Sequence, residues 1–168
     1  HLSSIAGGTD LVGCLVLGNL FSNVYVGEIQ GQSLGIDVDI FNDEGKSTRD
    51  KGELVVKKPF PSMPIKFWGD EKDQKYHDAY FAKFSNIWHH GDFVEKTLNN
   101  GFIIRGRSDA TLNPGGVRVG TAEIYQQVEN IEFITEGLVV GQDFNSDVRI
   151  ILFVTTKDNQ DLDSSKKD

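Results

Sequence analysis

Eighteen glycines are scattered through 168 residues, and they separate short apolar runs instead of gathering in one tract. Glycine weakens helices and supplies the left-handed dihedrals of tight turns. Such a distribution predicts many turns and short strands rather than long helices. A chain of this length is one ordinary domain or parts of two. Apolar residues at 38% and aromatic residues at 10% are enough for a sizeable core. With a mean hydropathy of -0.31, the composition excludes a disordered tail, collagen and a disulfide scaffold. No stretch approaches the roughly 20 apolar residues that a membrane helix needs. Seventeen basic against 25 acidic residues give a net charge of -8. That balance argues against nucleic-acid backbones and anionic membranes as main partners, yet a small anionic ligand needs only local positive charge.

The single cysteine, Cys14, lies in the apolar run 11–17 and reads as a buried thiol packing as a small hydrophobe. One cysteine cannot form an internal disulfide, which suits a reducing, cytoplasmic compartment. The N-terminus lacks the basic flank and apolar h-region of a signal peptide. The chain opens on His1-Leu2-Ser3-Ser4 and stops in a polar segment, which suggests a piece of a longer protein.

Residues 28–30, 36–41 and 53–56 read as strands, with Asn42-Asp43-Glu44-Gly45 as turn chemistry between the last two. The segment 58–64 holds three of the four prolines and predicts an irregular loop. A helix follows over 70–83, on which Tyr76, Tyr80 and Phe84 recur at spacing four and share a face. Residues 93–96 and 102–104, joined by Asn99-Asn100-Gly101, form a hairpin. Beyond Arg107 come a turn at Asn113-Pro114-Gly115-Gly116 and a helix over 121–129 capped by Thr121. Strands at 137–140 and 148–155 follow, then a charged tail at 157–168 that could begin another helix. The boundary expected at 107–110 separates a mostly β part from an α+β part.

Three clusters could carry chemistry. In Ser3-Ser4-Ile5-Ala6-Gly7-Gly8-Thr9-Asp10, glycines let backbone approach a phosphate, Thr9 offers a hydroxyl donor, and Asp10 offers hard oxygen to a cation. A capped Gly-Gly turn explains the same residues, and no Gly-Lys-Ser/Thr follows to make a Walker A loop. In Trp88-His89-His90-Gly91-Asp92, adjacent histidines point to opposite faces of a strand and cannot share one metal. Asp92 can present a carboxylate to a sugar's paired hydroxyls, or simply form a turn. The third cluster runs from Gly106 to Ile124. Arg107 and Arg118 bracket a glycine-rich turn, and arginine pairs well with phosphate or ribose oxygens.

The run Gly106-Arg107-Ser108-Asp109-Ala110-Thr111-Leu112-Asn113-Pro114-Gly115-Gly116-Val117-Arg118-Val119-Gly120-Thr121-Ala122-Glu123-Ile124 resembles the hinge motif of the adenylate-forming acyl-CoA synthetases. The first two clusters, and Pro59-Phe60-Pro61-Ser62-Met63-Pro64 with Phe67-Trp68, agree with that family in its order. The resemblance implies an ATP-dependent acid–thiol ligase that uses ATP, magnesium and CoA. Thr9 would contact the α-phosphate, with Gly7 and Gly8 beside it, and Asp10 would hold magnesium. Asp92 would bind the ribose hydroxyls, Arg107 ribose or phosphate, and Arg118 would lie near phosphate. Asp109 would be the hinge between adenylation and thioester formation, and Gly116 would line the path of CoA. Gly7 stands where relatives that use acetate carry Trp, which implies room for a longer acid such as acetoacetate. The implied fold is α+β: the β-rich, distorted-barrel-like end of a large AMP-binding domain over 1–108, then the start of a small mobile α+β domain over 109–168. The family's phosphate loop and late catalytic lysine do not occur in the sequence, so the chain by itself is expected to be inactive. Another acyl-CoA ligase, an adenylation module, or a non-catalytic nucleotide-binding fragment are the alternatives.

Overall fold

The computed structural model describes residues 2–157; the tail expected to begin a helix lies, past Lys157, outside them. By compactness the chain divides into two units, the first ending at Ile104 and the second beginning at Arg105. The mixture is α+β, as its composition of short strands and few helices required.

The first unit opens with a three-stranded antiparallel sheet of β1 (Ala6–Gly8), β2 (Gly13–Leu17) and β3 (Gly31–Gln32), in that order. The strand expected at 28–30 is displaced. Ile29 makes only an isolated bridge to Phe102, and the ladder proper starts at Gly31. Gln30 is the reason: its side chain takes the N–H of Asn19 and donates to the carbonyls of Asn19 and Ser22, clasping the preceding loop.

A four-stranded sheet follows, ordered β4 (Val38–Phe41), β5 (Gly52–Val56), β6 (Trp88–Lys96), β7 (Phe102–Arg107). Val38 and Ile40 point inward by the two-residue period, while β5 is buried along its whole length. At the predicted 42–45 turn the Gly45 N–H donates to the Asn42 carbonyl at 3.0 Å, with Gly45 at φ +71°. The Asn-Asn-Gly connection also forms, with Asn100 at φ +64°. β6 starts earlier than expected, at Trp88, so the Trp-His-His-Gly-Asp motif is strand.

The helix is shorter than predicted: α1 spans Gln74–Tyr80. Asp73 sits at φ +54°, and the Asp70 carboxylate accepts the Tyr76 N–H at 2.9 Å, so 70–73 form a capping turn. Phe81 leaves at φ -126°. Tyr76 and Tyr80 therefore share a face, but Phe84 does not join them and packs edge-on against Phe41. The core gathers Leu11, Leu15, Val16, Ile40, Leu54, Trp88, Val94 and Phe102. On the other face of β5 from Leu54, Glu53, with no exposed surface, accepts from Lys83 Nζ at 2.6 Å and meets His89 Nε2 at 2.9 Å. A buried charge needs such partners.

In the second unit, tight turns at Ser108–Ala110 and Pro114–Gly116 precede α2 (Thr121–Val128). The cap is Gly120, not Thr121. The Gly120 N–H donates to the Glu123 carboxylate at 3.0 Å, and a Cβ at Gly120 would stand 2.2 Å from the Arg105 carbonyl oxygen. The strands β8 (Ile134–Phe144) and β9 (Asp147–Thr156) outrun their predicted ends and pair as a hairpin. Asn145 and Ser146, at φ +51° and +62°, make the two-residue turn whose twist suits such ribbons. Val128, Val139 and Leu112 form the buried centre of this unit. Among the described residues no helix is long and apolar enough to cross a membrane.

Candidate functional site

The β1–β2 connection places Thr9 and Asp10 at an exposed tip. The Val12 N–H closes the turn on the Thr9 carbonyl at 3.3 Å, with Val12 at φ +50°. A β-branched residue in that region is strained, and such strain concentrates at functional loops. The Asp10 carboxylate accepts the Tyr80 hydroxyl from α1. The Tyr80 ring stacks on Trp88, centroids 3.7 Å apart and planes 13° apart. Trp88 Nε1 donates to His90 Nδ1 at 3.5 Å, and His90 Nε2 lies 3.5 Å from an Asp92 carboxylate oxygen.

A continuous array of side chains thus runs from Asp10 to Asp92. The strand period puts Trp88, His90 and Asp92 on one face and sends His89 to the other, toward Glu53. Asp92 is 9% exposed. A carboxylate held among such neighbours keeps a fixed orientation. Tyr80 and His90 were not legible as members of this array, because Tyr80 is 70 residues from Asp10 in sequence. The aromatic spacing on α1 was the available signal for Tyr80.

Beside the Thr9 turn lies an open hollow of about 610 Å³, lined by Ile5, Val12 and Cys14 among others. Cys14 is half-buried rather than buried. Its cross-strand neighbour is Gly7, which has no side chain to cover it. Gly7 also has a structural cause of its own. A Cβ there would stand 2.2 Å from the Gly13 carbonyl oxygen and 2.6 Å from Cys14 Cα. The direction its side chain would take is filled by β2, so the glycine permits the close approach of two strands. A Cβ on Gly8 would meet Asp10 Oδ1 at 2.1 Å and His90 Cε1 at 3.3 Å.

Among the described residues no group of three or more His, Cys, Asp or Glu side chains could cage a metal ion. Magnesium does not need one: it keeps waters and commonly takes one or two carboxylates together with substrate phosphates. Asp10, next to Thr9 in sequence and exposed, offers one carboxylate of that kind.

The second unit carries its own group. Arg107 Nε is 3.6 Å from Asp109 Oδ1, and both side chains are largely exposed. Arg118 donates to Thr111 Oγ1 at 3.5 Å, and Thr111 donates to the Ser108 carbonyl at 2.7 Å. Gly115 and Gly116 adopt φ +58° and +79° with nothing near where a Cβ would be. The Gly115 N–H donates to both oxygens of Asp147, at 2.9 and 3.1 Å, and the Val148 N–H adds a third bond at 2.7 Å. The Gly115 N–H foremost, then that of Val148, holds the Asp147 carboxyl below its ordinary range. Asp147 was absent from the sequence expectations, since nothing local relates it to a glycine 32 residues earlier.

No protein-family model matches the chain. It is 59% identical over 155 residues to an acetoacetyl-coenzyme A synthetase of Rhizobium meliloti (strain 1021), covering 92% of this chain and 24% of that protein. It is 46% identical over 162 residues to an acetoacetyl-CoA synthetase of Gallus gallus, covering 94% and 24%. Its structure superposes on the acetoacetyl-CoA synthetase from Streptomyces lividans with a TM-score of 0.88 at 39% identity, over 98% of this chain and 25% of that one. A TM-score of 0.78 at 17% identity to the anthranilate CoA ligase AuaEII extends the likeness of fold alone. The chain spans about a quarter of the length of the curated relatives it matches.

Proposed function

We infer that this chain, homologous to one quarter of the acetoacetyl-CoA synthetases, serves an ATP-dependent ligase that joins acetoacetate to CoA through an acyl-adenylate. The observation that supports this reading most is the superposition of nearly the whole chain on the Streptomyces lividans enzyme at a TM-score of 0.88. In the first half-reaction a carboxylate oxygen of the acid attacks the α-phosphorus of ATP and pyrophosphate leaves. The Thr9 hydroxyl donates to an α-phosphate oxygen, and the buried Asp92 carboxylate accepts the ribose hydroxyls and fixes the nucleotide. Asp10, held by Tyr80, is the residue that would hold magnesium, which when bound supplies positive charge to the phosphate oxygens. Arg107 and Arg118 add positive charge for ribose or phosphate. These are positioning and electrostatic contributions.

In the second half-reaction the CoA thiol sulfur attacks the acyl carbon and AMP leaves. Asp109 is the pivot between the half-reactions, and Gly116 borders the path of the pantetheine arm. Residues up to 108 belong to the large nucleotide-binding domain and those from 109 to the small mobile one, in a cytoplasmic enzyme. Nothing in this chain is cast as a nucleophile, Cys14 included. The full-length protein given acetoacetate, ATP and CoA is expected to form acetoacetyl-CoA, AMP and pyrophosphate in equal amounts. Thioester formation that does not depend on acetoacetate would sink the assignment.

A further inference from the structure

The loop that carries Gly116 is closed by the Val117 N–H on the Pro114 carbonyl at 3.0 Å and, at its base, by the mutual backbone bonds of Leu112 and Val119. Pro114, Gly115 and Gly116 form one tight turn, two of its residues have positive φ, and no side chain packs where their Cβ atoms would be. Two glycines in succession leave the unbound loop with many conformations to lose. Asp147 adds a restraint from outside it. Both carboxylate oxygens of Asp147 accept the Gly115 N–H, and the same carboxylate accepts the Val148 N–H at the start of β9. Asp147 is also the first residue after the Asn145-Ser146 turn and pairs with Phe144, so the hairpin holds its backbone in place. The glycine loop is therefore also tied to the β8–β9 hairpin by a charged acceptor.

We propose that Asp147 is a positioning residue for the CoA half-reaction, fixing the Gly115-Gly116 loop in the shape that admits the pantetheine arm. The inference rests on the reading of Gly116 given under Proposed function. Asp147 need not touch substrate. It shapes the loop, and a loop already in its bound shape loses less entropy when the ligand arrives. On that reading adenylation makes no use of Gly116, and so it does not depend on Asp147.

The test uses the full-length protein and two variants, Asp147→Ala and Asp147→Asn. Asparagine keeps the size and one acceptor oxygen while removing the charge, so it serves if alanine perturbs the hairpin. Acetoacetate-dependent ATP–pyrophosphate exchange reports adenylation, and the CoA dependence of acetoacetyl-CoA formation reports the second step. The KM for CoA should rise about fivefold or more in Asp147→Ala, less than for a buried bond to a charged group because Asp147 is exposed, with Asp147→Asn between it and wild type. Exchange should stay within about twofold of wild type, which is the split that a merely structural residue does not produce. A KM for CoA unchanged in Asp147→Asn, or a parallel fall of both half-reactions, overturns the proposal. Absence of exchange in the wild-type protein would instead overturn the functional reading on which it rests.

Discussion

Asp92 and Asp10 stand at the two ends of one array of side chains, and the chemistry of each is set by what holds it. Asp92 is nearly buried against His90, so its carboxylate is not free to follow a mobile ligand. In the full-length protein Asp92→Asn keeps the shape and removes the charge that accepts two hydroxyls. Bonds to charged groups are worth about 1.5–3 kcal/mol, so ATP should bind roughly tenfold more weakly or worse. Unchanged ATP affinity in a folded variant would contradict the ribose role. At the other end, Tyr80→Phe retains the stack on Trp88 and deletes the hydroxyl that Asp10 accepts. The magnesium concentration that half-saturates binding of ATP should rise about threefold, less than for a buried bond because Asp10 is exposed. Titration of ATP binding against magnesium checks this, and an unshifted curve would remove Tyr80 from the site. Thr9, Asp10 and Asp92 could be proposed from sequence because each belongs to a short motif. Tyr80, His90 and Asp147 could not, because their roles arise from contacts that only the folded topology brings about.

Elements whose limits are set by local chemistry were readable, and those set by tertiary contacts were not. The turns at 42–45 and 99–101 formed as expected, since Asn and Gly supply the required dihedrals themselves. α1 falls short of its predicted length because Asp70 and Asp73 cap it from inside the periodic run. β8 and β9 extend past theirs because exposed polar residues continue a ladder that a hydrophobic pattern does not reveal. β1 gives the sharpest lesson. Its Gly7 lines the open hollow beside the Thr9 turn, and backbone of β2 lies where a side chain would project. Gly7→Ala should therefore destabilise the β1–β2 pair by about 1–3 kcal/mol, the usual cost of forcing an extra group into packed space. Urea unfolding of the full-length variant measures it, and wild-type stability would show that β2 yields without cost.

At the scale of the molecule, the α+β class was legible in the short apolar runs, and the change of texture around Arg107 suggested two parts. β7 itself runs through the division, since compactness separates Ile104 from Arg105. The proposed pivot, Asp109, lies just beyond β7 in a single tight turn with an exposed side chain. Proline there fixes φ near -65° and removes an N–H. A residue that must change its dihedrals between half-reactions cannot tolerate that. Asp109→Pro should keep pyrophosphate exchange and lose acetoacetyl-CoA formation by about a hundredfold or more, as when a conformational step gates turnover. Equal loss of both activities would indicate general damage, and loss of neither would exclude the pivot.

The central claim is that this chain belongs to an enzyme that adenylates acetoacetate, and the most direct measurement is ATP–pyrophosphate exchange by the full-length protein with a panel of short acids. Exchange should require magnesium and be fastest, relative to KM, with acetoacetate, while acetate, propionate and butyrate support it poorly. Equal or faster exchange with one of those other acids, or none with any acid, would contradict the account.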